Sequence, residues 1–108
     1  MAFRSPNTTR QGGSFSESIK IATWNKAHTI LGINPGIRRI DACGAPIDWS
    51  QFGNTTEGGT GWEIDHIIPV AQEGGDEISN LQPLQWQNNR CKSDSLTNAY
   101  CVMPKNRG

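Results

Sequence analysis

Trp62-Glu63-Ile64-Asp65-His66-Ile67-Ile68, closed by Pro69, alternates bulky apolar side chains with acids and an imidazole. A period of two marks a β-strand with two unlike faces, and proline cannot continue the ladder. The alternation sets Trp62, Ile64 and His66 on one face and Glu63, Asp65 and Ile67 on the other, unless a bulge intervenes beside Asp65-His66. Downstream, Gly74-Gly75 predicts a turn, Leu81 to Leu84 a returning strand, and Trp86 to about Leu96 a short helix. Strand, loop, strand and helix in this order make the fold class α+β, with the central unit over about residues 61–96.

Upstream, Ser14-Phe15-Ser16-Glu17 has capping-box spacing, and Ile19, Thr23, Trp24, Ala27 and Ile30 recur near the helical period. They predict a helix over about residues 16–28. Gly32, Asn34, Pro35 and Gly36 end it and lead into a loop that carries Arg38 and Arg39. Cys43-Gly44-Ala45-Pro46-Ile47 reads as a tight turn, and the Gly- and Thr-rich run from Asn54 to Gly61 as a surface loop. Residues 1–13 are polar with no apolar period and read as a flexible arm, which leaves 14–108 as one domain.

A chain of 108 residues with 34% apolar side chains has material for one modest core. No apolar stretch approaches the roughly 20 residues of a membrane helix, so no membrane partner is expected. Met1 to Pro6 lacks the apolar run of a signal peptide, and the expected location is cytoplasmic. Cys43, Cys91 and Cys101 form neither an even set nor a C-x-x-C pair, and are expected to be free, mostly buried thiols.

The net charge of zero hides a strong asymmetry. Residues 1–40 hold six basic groups against Glu17, residues 41–85 hold eight acids and no Lys or Arg, and residues 86–108 return four basic groups against Asp94. An acidic middle between basic ends suits a cation-binding centre flanked by phosphate-gripping segments, though ordinary solvated faces give the same pattern.

Four pieces of the sequence fit together in order and spacing: Glu63 to Pro69, Gly74-Gly75-Asp76, Ser79-Asn80-Leu81-Gln82-Pro83-Leu84, and Asn88-Asn89-Arg90-Cys91-Lys92. Fourteen positions separate His66 from Asn80, and nine separate Asn80 from Asn89. In these pieces the chain resembles the HNH endonucleases, in the small stand-alone form without zinc-binding cysteine pairs. Trp24 through Arg39, Asp41, Cys43-Gly44 and Ile47 resemble the part before the hairpin more loosely. The resemblance implies a ββα-metal active site, a hairpin and helix around one divalent cation, and the hydrolysis of DNA phosphodiester bonds.

Such hydrolysis needs an activated water, stabilisation of charge added at phosphorus, and help for the departing 3′ oxygen. The resemblance makes His66 the general base, a role that suits an imidazole titrating near neutrality. It makes Asp65 and Asn89 the two protein ligands of the cation, and Asn80 the residue that ties the loop across the hairpin and steadies the base. Glu63 falls where some relatives carry an acid that supports the metal ligand. Arg90 and Lys92 are placed against the phosphate backbone, with Arg38 and Arg39 as further contacts.

Two departures stand out. Asn89 occupies a position where many relatives have His, so the ligands are all oxygen and favour Mg²⁺ or Mn²⁺ over Zn²⁺. Where relatives bind structural zinc through two cysteine pairs, this chain has Ile40, Cys43, Gln85 and Asn88, so no structural zinc is expected. Trp24, Trp49, Trp62, Trp86 and Ile64 are expected to supply packing instead. The expected partner is DNA, held through its backbone with weak sequence preference by a monomer or a homodimer; nicking and double-strand cutting both stay open, and RNA stays open as substrate. The rival reading is a catalytically silent nucleic-acid-binding module on the same scaffold. The complete set Asp65, His66, Asn80 and Asn89 speaks against it.

Overall fold

A computed structural model describes residues 5–95 and 100–105. The architecture is α+β. Helix α1 spans Glu17–Trp24, strands β1 (Arg38–Ile40) and β2 (Pro46–Asp48) form one antiparallel pair, β3 (Trp62–His66) and β4 (Leu81–Gln85) form a second, and helix α2 spans Trp86–Lys92. No helix among the described residues is long and apolar enough to cross a membrane.

The β3–β4 register runs from Trp62 opposite Gln85 to His66 opposite Leu81. The alternation read in the sequence decides what each face of β3 meets. Trp62 and Ile64 pack with Trp24, Ala27, Ile47 and Leu81 in the main core, while Glu63 and Asp65 meet side chains of α2. Aromatic contacts dominate that core: the Trp62 ring lies 5.1 Å from Trp24, 5.9 Å from Trp49 and 4.8 Å from Phe52. Trp86 stands apart from this cluster, half-buried, its indole N–H donating to the Thr56 carbonyl at 2.9 Å.

The helix begins where expected, but its cap is Ser16, whose side chain accepts from Ile19 N–H, rather than Ser14 of the Ser14–Glu17 capping-box spacing, and it ends at Trp24 rather than near residue 28. Asn25 to Ala27 form turn-type bonds, and His28 is already extended, exchanging backbone hydrogen bonds with Ile40. Strand pairing captures the last turn that periodicity assigned to the helix. The same pairing corrects the segment read as a loop: Arg38 and Arg39 lie in β1, opposite Asp48 and Ile47. Helix α2 stops at Lys92 because Ser93 turns to φ 47°; the end expected at Leu96 lies outside the described residues.

The cysteines differ from expectation. Cys43 and Cys101 form a disulfide between residues 58 apart in sequence, and Cys91 is a free, exposed thiol. Spacing gave no hint of the bridge because the partner segment arrives through Asn88. The Asn88 amide oxygen accepts from the backbone N–H groups of Val102 and Met103, both at 2.8 Å, and so carries Cys101 to Cys43.

Beside the bridge lies the buried carboxylate of Asp41. Its Oδ1 accepts from the N–H groups of Cys43 and Ala45, and its Oδ2 from the Gln85 N–H and the Asn88 amide. Asp41→Ala leaves those buried donors unmet at about 1–3 kcal/mol for a typical one, so it should lower stability by about 3 kcal/mol or more in urea unfolding. The loop closed by the disulfide is long, and its loss through Cys43→Ser or reduction should remove about 4 kcal/mol in the chain-entropy picture. A melting temperature unmoved by reductant would contradict that contribution.

Candidate active site

The loop between β3 and β4 is fourteen residues, 67–80, and Asn80 holds it closed. The Asn80 carbonyl accepts from Ile67 N–H, its side-chain oxygen accepts from Ile68 N–H at 2.8 Å, and its amide donates to the carbonyls of Ile68 at 3.1 Å and Gly75 at 2.9 Å. One buried side chain thus extends the hairpin ladder past His66. Gly74 is required here, because a Cβ would overlap the Ile68 carbonyl oxygen and crowd the Asn80 amide.

A cleft of about 120 Å³ opens between the end of β3 and α2. Asp65, His66, Asn89, Arg90 and Asp94 line it, and Asn7 closes one side. His66 is 8% exposed; its Nε2 lies 2.7 Å from Asp76 Oδ1, and its ring packs 5.9 Å from Phe15.

Asp65 Oδ2 accepts from Gln82, directly opposite it in the register, at 2.9 Å, and pairs with the Lys92 ammonium at 3.2 Å. Lys92 is 3% exposed and also donates to the His66 carbonyl at 2.9 Å, so this one cation fastens α2 to the end of β3. Burial pushes the Asp65 carboxyl above the usual carboxylate range, against the opposing pull of Gln82 and then Lys92.

Glu63 organises the other wall. Its carboxylate accepts from the Asn89 amide at 2.8 Å and from two guanidinium nitrogens of Arg90 at 3.1 and 2.8 Å. A carboxylate cannot donate, so the Asn89 amide must turn its N–H₂ toward Glu63, and its oxygen remains as the acceptor on a residue that lines the cleft. Asp65 Oδ1 and Asn89 Oδ1 are therefore two hard oxygens with no donor among the described residues. Such a pair suits a divalent cation that completes its shell with water and phosphate. Among the described residues no three His, Cys, Asp or Glu side chains converge as a cage would require.

The structure gathers Asp65, His66, Asn89 and Arg90 at the cleft, with Glu63 and Asn80 behind them. It does not bring Arg38 and Arg39 there. Arg38 pairs with Asp48 at 2.7 Å, and Arg39 donates to the carbonyls of Pro35, Asn25 and Ala27. Lys92 stands at the site, but as the buried counter-charge of Asp65 rather than as an open phosphate contact. Sequence reasoning missed Asp76, Gln82, Asn7 and Phe15 as neighbours of the site. Of these Gln82 had a signal, since pairing the two strands from their ends places it across from Asp65, and Asp76 stood in the Gly74-Gly75-Asp76 piece of the resemblance without a role.

The HNH endonuclease family model matches residues 41–95, just over half of the chain. The chain belongs to the HNH endonuclease family. No curated protein and no solved structure matches it. In this HNH chain the matched region opens at Asp41, takes in both walls of the cleft and closes after α2, while the segment of Asn7 contributes to the cleft from outside it.

The Asp65 shift has a defined sign in the metal-free protein. The native state holds the Asp65 proton more tightly than the unfolded chain, so its contribution to stability is fully present below the ordinary carboxylate pKa and is lost as pH rises through the raised one. In EDTA, Asp65→Asn should therefore flatten the fall in stability across the window between the ordinary carboxylate pKa and the raised one. Melting curves collected through the window test it; a slope identical to wild type would contradict the shift.

Proposed function

We propose that this HNH protein is a metal-dependent DNA endonuclease that hydrolyses phosphodiester bonds at the cleft between β3 and α2. The observation that carries the reading is the convergence on one cleft of Asp65, His66 and Asn89, drawn from a strand and a helix more than twenty residues apart.

His66 takes a proton from water, the resulting hydroxide attacks phosphorus, and the bond to the 3′ oxygen breaks. Asp65 and Asn89 are the oxygen ligands that fit a Mg²⁺ or Mn²⁺ ion, which when bound neutralises charge on the scissile phosphate and the leaving oxygen. Glu63 fixes the Asn89 amide so that its oxygen serves as ligand. Lys92 balances the Asp65 charge before a cation enters, and Arg90, with its guanidinium at the cleft and half exposed, grips the phosphate backbone. Asn80 keeps the loop, and with it the carbonyl end of β3, in place. None of these groups reads a base edge, so weak sequence preference is expected.

The test is conversion of supercoiled plasmid to open-circular and linear DNA by purified protein with Mg²⁺, Mn²⁺ or EDTA. Metal-dependent conversion should fall about 10²–10⁴-fold in His66→Ala, the usual contribution of a general base, while DNA retardation on a gel persists. Asp65→Ala and Asn89→Ala should lose rate and raise the metal concentration needed. Retardation without conversion under any metal would instead establish a silent binding module.

A further inference from the structure

The nuclease reading assigns His66 a proton-accepting role but leaves open which ring nitrogen acts and what holds the ring. Asp76 lies ten residues on, in the loop that Asn80 pins through the neighbouring Gly75 carbonyl. Its Oδ1 is 2.7 Å from His66 Nε2. From the other side both of its carboxylate oxygens accept the Arg10 main-chain N–H, at 2.9 and 3.2 Å. That N–H is aimed by a tight turn, in which Gly12 N–H donates to the Thr9 carbonyl and Thr9 N–H to the Gly13 carbonyl, both at 2.8 Å. The segment is fastened to β3 again at Asn7, whose side-chain oxygen accepts from Ile64 N–H at 2.7 Å, and by Phe15 against the imidazole.

We propose that Asp76, held by the main chain of Arg10, is a positioning residue that fixes the tautomer and orientation of His66, so that the segment around residues 7–15 is a working part of the hydrolytic site. This rests on the nuclease reading and deepens it. An ionised carboxylate only accepts, so in the neutral ring it keeps the proton on Nε2 and leaves the lone pair on Nδ1 to receive the proton of water. After that transfer the ring is an imidazolium facing the Asp76 carboxylate, which stabilises the new charge. An asparagine at position 76 can instead donate to Nε2, which puts the ring proton on Nδ1 and removes the base.

The experiment compares wild type with Asp76→Asn, Asp76→Glu, His66→Ala, the double variant Asp76→Asn/His66→Ala, and Arg10→Pro. Proline fits the second position of the Thr9–Gly12 turn and deletes the main-chain donor to Asp76 together with the Arg10 guanidinium that pairs with Glu73. It is therefore read against Arg10→Ala, which loses the guanidinium but keeps the donor and should cleave faster than Arg10→Pro. In single-turnover plasmid cleavage with Mg²⁺, Asp76→Asn should lose about 10²–10⁴-fold in kcat with little change in KM, as wrong-tautomer variants do. Asp76→Glu should recover part of the loss, Arg10→Pro should fall in the same direction by a smaller factor, and the double variant should be no slower than His66→Ala alone. Wild-type kcat in Asp76→Asn, a loss that adds to that of His66→Ala, or an unaffected Arg10→Pro overturns the assignment.

Histidine ¹⁵N chemical shifts give an answer that does not depend on cleavage, and the chain holds only His28 and His66 to assign. At alkaline pH the wild-type His66 signal should report the Nε2–H tautomer and move toward Nδ1–H in Asp76→Asn. A tautomer mixture that the substitution leaves unchanged overturns the positioning role. If wild type cleaves nothing under any metal, the nuclease reading fails while the shifts still decide the Asp76–His66 pairing.

Discussion

Asp41 is 1% exposed, and both oxygens of its carboxylate accept nitrogen donors from separate segments. Buried charge is stable only when hydrogen-bonded on every side, and this one is met by the turn after β1, by the junction of β4 with α2 and by Asn88 within α2. The start of α2 is thereby fixed in space. Every side chain that α2 sends toward β3, from Asn89 through Arg90 to Lys92, depends on that placement. The resemblance aligns Ile40, Cys43, Gln85 and Asn88 with the zinc-binding cysteine pairs of relatives. In this chain the Asp41 carboxylate joins those segments through the Gln85 N–H and the Asn88 amide, while the Cys43–Cys101 bridge ties the first of them to the C-terminal segment.

The cleft uses the same principle at higher charge density. Asp65 and Glu63 share one face of β3, and each is matched from α2, by Lys92 and by Arg90 with Asn89. Neither match uses up all the acceptors. Asp65 keeps one oxygen and Asn89 its amide oxygen, so the wall is structurally closed and chemically open at one point. The raised Asp65 carboxyl is the electrostatic mark of that arrangement, since its desolvation outweighs the help from Gln82 and Lys92.

Local pattern carried the hairpin, α2 and the presence of α1, because each has a period that one segment displays alone. The α+β class and the cluster of Asp65, His66, Asn80 and Asn89 followed from those elements and from motif spacing. What escaped was non-local. β1 is three residues long and exists only because β2 and His28 pair with it, so Arg38 and Arg39 resembled loop residues. The disulfide joins segments that meet through one asparagine amide, and no spacing encodes that meeting. The Arg10–Asp76–His66 chain spans a main-chain donor, which a side-chain motif cannot show. Lys92 looked like a surface cation because its charge, unlike its burial, is visible in sequence.

A two-stranded sheet leaves both of its strands with an outer edge, and β3 is treated with some care on that side. The Trp62 carbonyl is taken by Gly53 N–H, and the Ile64 N–H by the amide oxygen of Asn7. A side chain thus sits where a neighbouring strand would dock, and these two backbone groups, which would otherwise invite pairing with another chain, are already occupied. The segment that reaches the His66 imidazole therefore also discourages edge-to-edge association. Any change that frees it, such as a fusion partner that pulls it from the surface, exposes a sticky strand at the same moment that it loosens the site.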